Sequence, residues 1–209
     1  MELNLIFSLI ILILSVVIHE VSHGYSAELF GDPTARLAGR LTLNPTKHLD
    51  PVGSFLVPVA TYLLGGFIIG WAKPVPYNPY NLHPQKLGTA VVAGAGIFAN
   101  FIIAFVFGLL IRFAEPLGIA SEAFFTIAGM IVFINLLLGI FNLVPIPPLD
   151  GSKLLFSILP YKWRNIETFA EQYGLILLVF FLLFLWQFVV PSVFFLFSLI
   201  TGGFIPSVL

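Results

Sequence analysis

The chain contains no cysteine, which excludes disulfides, thiolate metal sites and cysteine nucleophiles together. Charge is scarce as well. Asp, Glu, Lys and Arg make up 9% of the 209 residues and hydrophobic residues 59%, whereas an average soluble domain is about 25% charged. Such a chain lacks the polar surface to cover itself in water, so it reads as an integral membrane protein embedded in a lipid bilayer. The formal net charge of −1 offers no basic field for nucleic acid, and no nucleic-acid partner is expected. The opening Met1-Glu2-Leu3-Asn4 has neither a basic n-region nor a small-residue cleavage site. Segment 3–30 is therefore expected to stay as a span and not to be removed as a signal peptide. There is no internal repeat, no low-complexity tract and no long hydrophilic stretch. Residues 1–209 are expected to form a single membrane-embedded domain.

What is present is apolar sequence in five stretches. Residues 3–30, 88–113 and 122–144 are each long enough to span a bilayer. The stretch 52–71 is broken by Pro58, Gly65, Gly66 and Gly70, and 174–209 holds one span to about 190 and a shorter piece after Pro191. The expected fold class is thus an all-α polytopic membrane protein with about four to six transmembrane or re-entrant segments. Basic residues orient it. If 52–71 is re-entrant, loops 31–87 and 145–173 share one side and hold eight of the nine Lys and Arg residues. The positive-inside rule makes that side cytoplasmic and puts the N-terminus outside, for a multi-pass protein of the cell membrane. A crossing at 52–71 would divide the basic residues between both sides.

Into the first apolar run falls His19-Glu20-Val21-Ser22-His23. Ionisable groups at membrane depth are costly and are read as functional. On a helix the two imidazoles, four residues apart, point the same way and can grip one metal ion. Glu20 lies about 100° round the helix, where a general base for a metal-activated water belongs. A catalytic zinc site normally has three protein ligands. The donors available for the third place are Glu28, His48, Asp50, His83 and Asp150. Asp150 is preferred on topology: the first and fourth stretches run in the same direction, so the segment from Asn142 to Gly151 emerges where the histidines end. The expected zinc site therefore lies between the first span and the end of the span preceding Asp150. A competing role for Asp150 is the N-cap of the helix that follows it.

Four blocks in order resemble the site-2 protease family of intramembrane zinc metalloproteases. They are His19 to His23, Asn44 to Gly53, Gly70 to Pro79 and Asn142 to Gly151. The resemblance covers nearly the whole chain and is closest to short prokaryotic forms without a PDZ domain. It implies one Zn2+ per chain held by His19, His23 and Asp150, with Glu20 as catalytic base. It implies a peptidase that hydrolyses bonds in or near transmembrane helices of membrane protein substrates, as in regulated intramembrane proteolysis. One departure is visible: the family usually has Gly-Pro where this chain has Gly96-Ile97, which bears on the local helix more than on the chemistry.

Two further residues are placed at or beside the site. Asn142, two turns before Asp150, can offer an amide to a substrate carbonyl, and His48 either lines the site or fastens its Pro-bounded loop. Asn100 and Asn135 read as interhelical hydrogen bonds, and Lys73 as an interfacial lysine. Other functions make different demands. A metal-binding or metal-transport protein would repeat polar ligands along several spans, and an inactive protease-like scaffold would have lost Glu20 or a ligand. Serine intramembrane proteolysis lacks its Gly-x-Ser-x-Gly setting here, and the aspartyl type needs two intramembrane aspartates. Oligomeric state is not legible in the sequence.

Overall fold

A computed structural model describes residues 2–57, 59, 60, 63, 70–116, 118, 119 and 121–203. Among them there is no β-strand, and four helices are long and apolar enough to cross a membrane. Helix α1 (Glu2–Leu29) is followed by the single turn α2 (Thr34–Leu37). Next come α3 (Gln85–Arg112), α4 (Glu122–Leu143) and the short α5 (Asp150–Ile158). Helices α6 (Arg164–Phe180) and α7 (Trp186–Thr201) are joined through a π-helical turn at Phe181–Leu185. The chain is an all-α polytopic membrane protein.

Helix α1 has 28 residues, about 42 Å at 1.5 Å per residue, enough for the ~30 Å hydrocarbon layer. Its two faces differ. Ile11, Ser15, His19, His23 and Ala27 recur every four residues and are all buried, whereas Leu9, Ile13, Leu14 and Leu29 are exposed to lipid or the interface. Gly31, with φ of +98°, ends it by a left-handed turn that a side chain would oppose.

Helix α3 is the central element, packed against α1, α4, α5 and α7. It can be central because its inward face is small: Gly88, Val92, Gly96, Asn100, Ala104 and Gly108, four apart, are all buried. Small residues let helix backbones approach closely where lipid supplies no hydrophobic drive between helices. Helix α4 starts at a Ser121 cap, whose hydroxyl accepts from the Phe124 N–H. It closes the main core with Ala128, Val132 and Leu136 against Phe181, Val189, Val193 and Phe197.

Two stretches differ from expectation or sharpen it. Pro191 does not end the last span; it lies inside α7, within one apolar helical run Arg164–Thr201 of 38 residues. In hydrocarbon the backbone groups have no solvent to turn to, so a helix continues through a proline that would break it in water. Nine of the twenty residues of the stretch 52–71 lie outside the described ones, but its ends are described and they meet. The Trp71 N–H donates to the Gly53 carbonyl at 3.0 Å, and the Ser54 hydroxyl donates to the Trp71 carbonyl at 3.0 Å. The two ends of the stretch thus lie side by side.

Candidate metal centre

Three side chains from two distant segments converge. His19 and His23 come from the buried stripe of α1, and Asp150 is the first residue of α5. His19 and His23 are 6% and 8% exposed, and Asp150 is 8% exposed. Asp150 Oδ2 lies 3.0 Å from the Nε2 atom of each histidine, and the two Nε2 atoms are 3.1 Å apart. Among the described residues this is the one group of three such donors close enough to share a metal ion.

The outer nitrogens explain the orientation. His19 Nδ1 stands 3.0 Å from Asn100 Oδ1, and His23 Nδ1 is 2.6 Å from the Val92 carbonyl oxygen. Both partners are acceptors, so each Nδ1 carries the proton and each Nε2 turns a lone pair inward. Two nitrogen lone pairs and a carboxylate oxygen then face one another with no proton between them. A divalent cation resolves that repulsion, and two imidazoles with a carboxylate is a donor set suited to zinc. The residues present fit the metal.

Space for the imidazoles is made by α3. A Cβ on Gly96 would stand 2.6 Å from His19 Cε1 and Nε2. Ile97, where the sequence departs from Gly-Pro, lies within an unbroken α3 and is buried, so the substitution leaves the helix intact. Asp150 is delivered by the segment Val144–Leu149, which leaves α4 in an extended conformation at Val144. Leu149, not Asp150, occupies the N-cap of α5, so the carboxylate is free of capping. Gly151 allows the chain to pass this close, since a Cβ there would lie 2.2 Å from the Leu143 carbonyl. Burial alone would favour the protonated acid at Asp150. The Lys153 ammonium, 3.5 Å from Oδ1, favours the carboxylate instead.

Beside this cluster is a cavity of about 300 Å³. Glu20 lines it, partly buried, with Oε2 accepting from the Val75 N–H at 2.8 Å. The extended segment Gly70–Asn78 forms the facing wall, tied at Lys73, whose N–H donates to the His48 carbonyl at 2.8 Å and whose carbonyl accepts from Arg40 at 2.7 Å. The remaining wall includes the apolar Val16, Leu138 and Phe141.

Of the residues nominated from sequence, His19, Glu20, His23, Asp150 and Asn142 all line this cavity. Asn142 uses its NH2 to bond its own helix at the Leu138 carbonyl, 3.1 Å away. His48 is not among the lining residues. It is 1% exposed and Nε2 donates to the Thr42 carbonyl at 2.9 Å, fastening the 42–48 loop. Asn135 donates to the Ser15 hydroxyl at 2.9 Å, one of the expected interhelical bonds. Sequence reasoning missed three contributors: Gly96, the Val75 N–H that holds Glu20, and Lys153. Only the first had a legible signal, the four-residue spacing of small residues in α3.

The model of a family described as Peptidase family M50 matches residues 113–185. The chain is 40% identical over 191 residues to a Bacillus subtilis protein named "Putative zinc metalloprotease YwhC", covering 88% of this chain and 81% of that one. It is 32% identical over 170 residues to "Putative zinc metalloprotease Rip2" of Mycolicibacterium smegmatis, covering 80% of this chain and 62% of that relative. It is also similar to a zinc metalloprotease of Methanocaldococcus jannaschii, 27% identical over 180 residues, 83% of this chain and 42% of the relative. The chain thus spans most of the first of these and less than two thirds of the other two. No solved structure matches it significantly.

Proposed function

The chain belongs to peptidase family M50, the site-2 proteases, and we propose that it hydrolyses peptide bonds in or near the transmembrane helices of membrane protein substrates. One observation carries this reading: three inward lone pairs at His19, His23 and Asp150 share a cavity with the Glu20 carboxylate. His19, His23 and Asp150 would hold one Zn2+ per chain. When bound, zinc polarises a substrate carbonyl and makes a water acidic enough to attack it.

The protein's own groups do the rest. Glu20, fixed through Oε2 by the Val75 N–H, takes the proton of the attacking water and delivers it to the leaving amide nitrogen. Asn142 lines the same cavity with its NH2 engaged by the Leu138 carbonyl, which leaves its amide oxygen to accept from a substrate N–H. The apolar wall of Val16, Leu138 and Phe141 keeps bulk water from the reacting carbonyl. A helical peptide hides its carbonyls in its own hydrogen bonds, so the substrate is unwound locally before it fits. The whole chain acts as one membrane-embedded domain of the cell membrane, with its N-terminus outside and the site towards the cytoplasm.

The test compares wild type with Glu20→Gln in proteoliposomes on a panel of single-span substrates. We expect one zinc per chain in both and cleavage lowered by about 10²–10⁴-fold in the variant, the usual contribution of a general base. Cleavage that survives Glu20→Gln at the wild-type rate sinks the assignment.

A further inference from the structure

The two oxygens of Asp150 face different partners. Oδ2 meets both imidazoles at 3.0 Å, whereas Oδ1 lies 3.5 Å from the Lys153 Nζ. Lys153 is the one Lys or Arg among the described residues that line the cavity. It sits one turn on from Asp150 along α5, so its stem starts on the same face of the helix. Its ammonium is also 5.9 Å from the centre of the Tyr77 ring, within the reach of a cation–π contact. Tyr77 belongs to the opposite wall, so the half-exposed ammonium stands between that ring and Oδ1.

We propose that Lys153 is a positioning residue that neutralises the outer oxygen of Asp150 and so keeps that carboxylate a one-oxygen ligand. The inference rests on the metal reading given above. Oδ1 is buried with Asp150, and a buried anionic oxygen without a cation is costly. With no ammonium beside it, Oδ1 would turn to the metal as well and take the coordination position that a hydrolytic site leaves open. The role needs a fixed positive charge at the end of a lysine-length stem, and it is distinct from that of the ligands and of Glu20.

The experiment measures zinc affinity of the full chain in detergent, by competition with a chromophoric chelator. Lys153→Met is expected to bind zinc about tenfold more tightly, because a cation beside the site is gone and Oδ1 becomes free to join Oδ2, with helix content unchanged. The absence of native cysteine permits a charge-specific rescue. In Lys153→Cys the new thiol is the sole thiol, and aminoethylation rebuilds an ammonium at lysine length whereas carbamidomethylation adds a neutral amide. Return to wild-type affinity with the first and not the second supports the proposal. Wild-type or weaker affinity in Lys153→Met overturns it, and so does an equal return with both reagents. A wild-type chain that takes up no zinc overturns the metal reading itself, and this proposal with it.

Discussion

His19 illustrates how much of this site hangs on single atoms of neighbouring residues. Its ring lies against the bare backbone of Gly96, and its Nδ1 proton is directed at Asn100. Gly96→Ala therefore puts a methyl where the ring now is. Alanine is the better helix former by about 1 kcal/mol, so α3 itself is not weakened. The expected outcome is zinc affinity lowered at least about tenfold, with helix content and melting of the zinc-free chain unchanged. Chelator competition and circular dichroism measure the two separately. Undiminished zinc affinity in that variant would show that the ring has room the geometry denies it. At this scale the sequence was informative where chemistry is rare: two histidines and a glutamate in an apolar run announce themselves. Gly96 showed only as one of the small residues spaced four apart in α3, a pattern that does not say which ring will lie against it.

At the scale of elements, the site is built by pinning an extended segment to helices. The wall from Gly70 to Asn78 is held through Trp71, Lys73 and Val75, and its far end is held by Asp32. That carboxylate, 0% exposed, accepts from the Thr34 hydroxyl, the Asn81 side chain and the Asn78 N–H. Burial would raise its pKa, but these hydrogen bonds outweigh burial and hold it below the usual value. A group with a lowered folded pKa contributes stability that is fully present above its unfolded pKa of about 3.9 and is lost as pH falls through the folded value. Amide protection in the 78–83 loop is therefore expected to be flat above about pH 5 and to fall below about pH 4. Asp32→Asn should lower that protection at neutral pH and flatten its acid dependence, both read by hydrogen exchange. An unchanged profile in the variant would remove Asp32 as the clamp. In the sequence Gly31-Asp32-Pro33 directly follows the first apolar run, but a break of that kind does not reveal that its carboxylate reaches a loop more than forty residues away.

For the whole molecule, the decisive question is the course of the stretch 52–71, whose two ends meet at Gly53 and Trp71. If that stretch is re-entrant, as the charge bias predicts, the loops holding Thr46 and Lys162 are expected on one face of the membrane and the one holding Glu115 on the other. The cysteine-free chain makes this measurable with single substitutions at exposed positions. Thr46→Cys and Lys162→Cys are expected to react with a membrane-impermeant maleimide from one side, and Glu115→Cys from the opposite side. Labelling of Thr46→Cys and Lys162→Cys from opposite sides would contradict the arrangement. Chelation should abolish cleavage while leaving this sidedness unchanged, because the four spans pack through α3 and not through the metal. Activity that persists in the zinc-free protein would sever catalysis from the metal.

The sequence by itself determined that the protein lives in a bilayer, that α1 carries two imidazoles on one face with a carboxylate beside them, and that Asp150 is the acid best placed to join them. These follow from composition, from the 3.6-residue period and from charge bias, all of which are local or additive along the chain. Only the tertiary structure decided which nitrogen of each histidine turns inward, that Gly96 yields space to His19, that Val75 holds Glu20 and that Lys153 faces the outer oxygen of Asp150. It also decided that the last helix runs through Pro191. Each depends on how helices are rotated and how closely they pass. Those quantities are set by the packing of segments far apart in the chain, so no short window of sequence contains them.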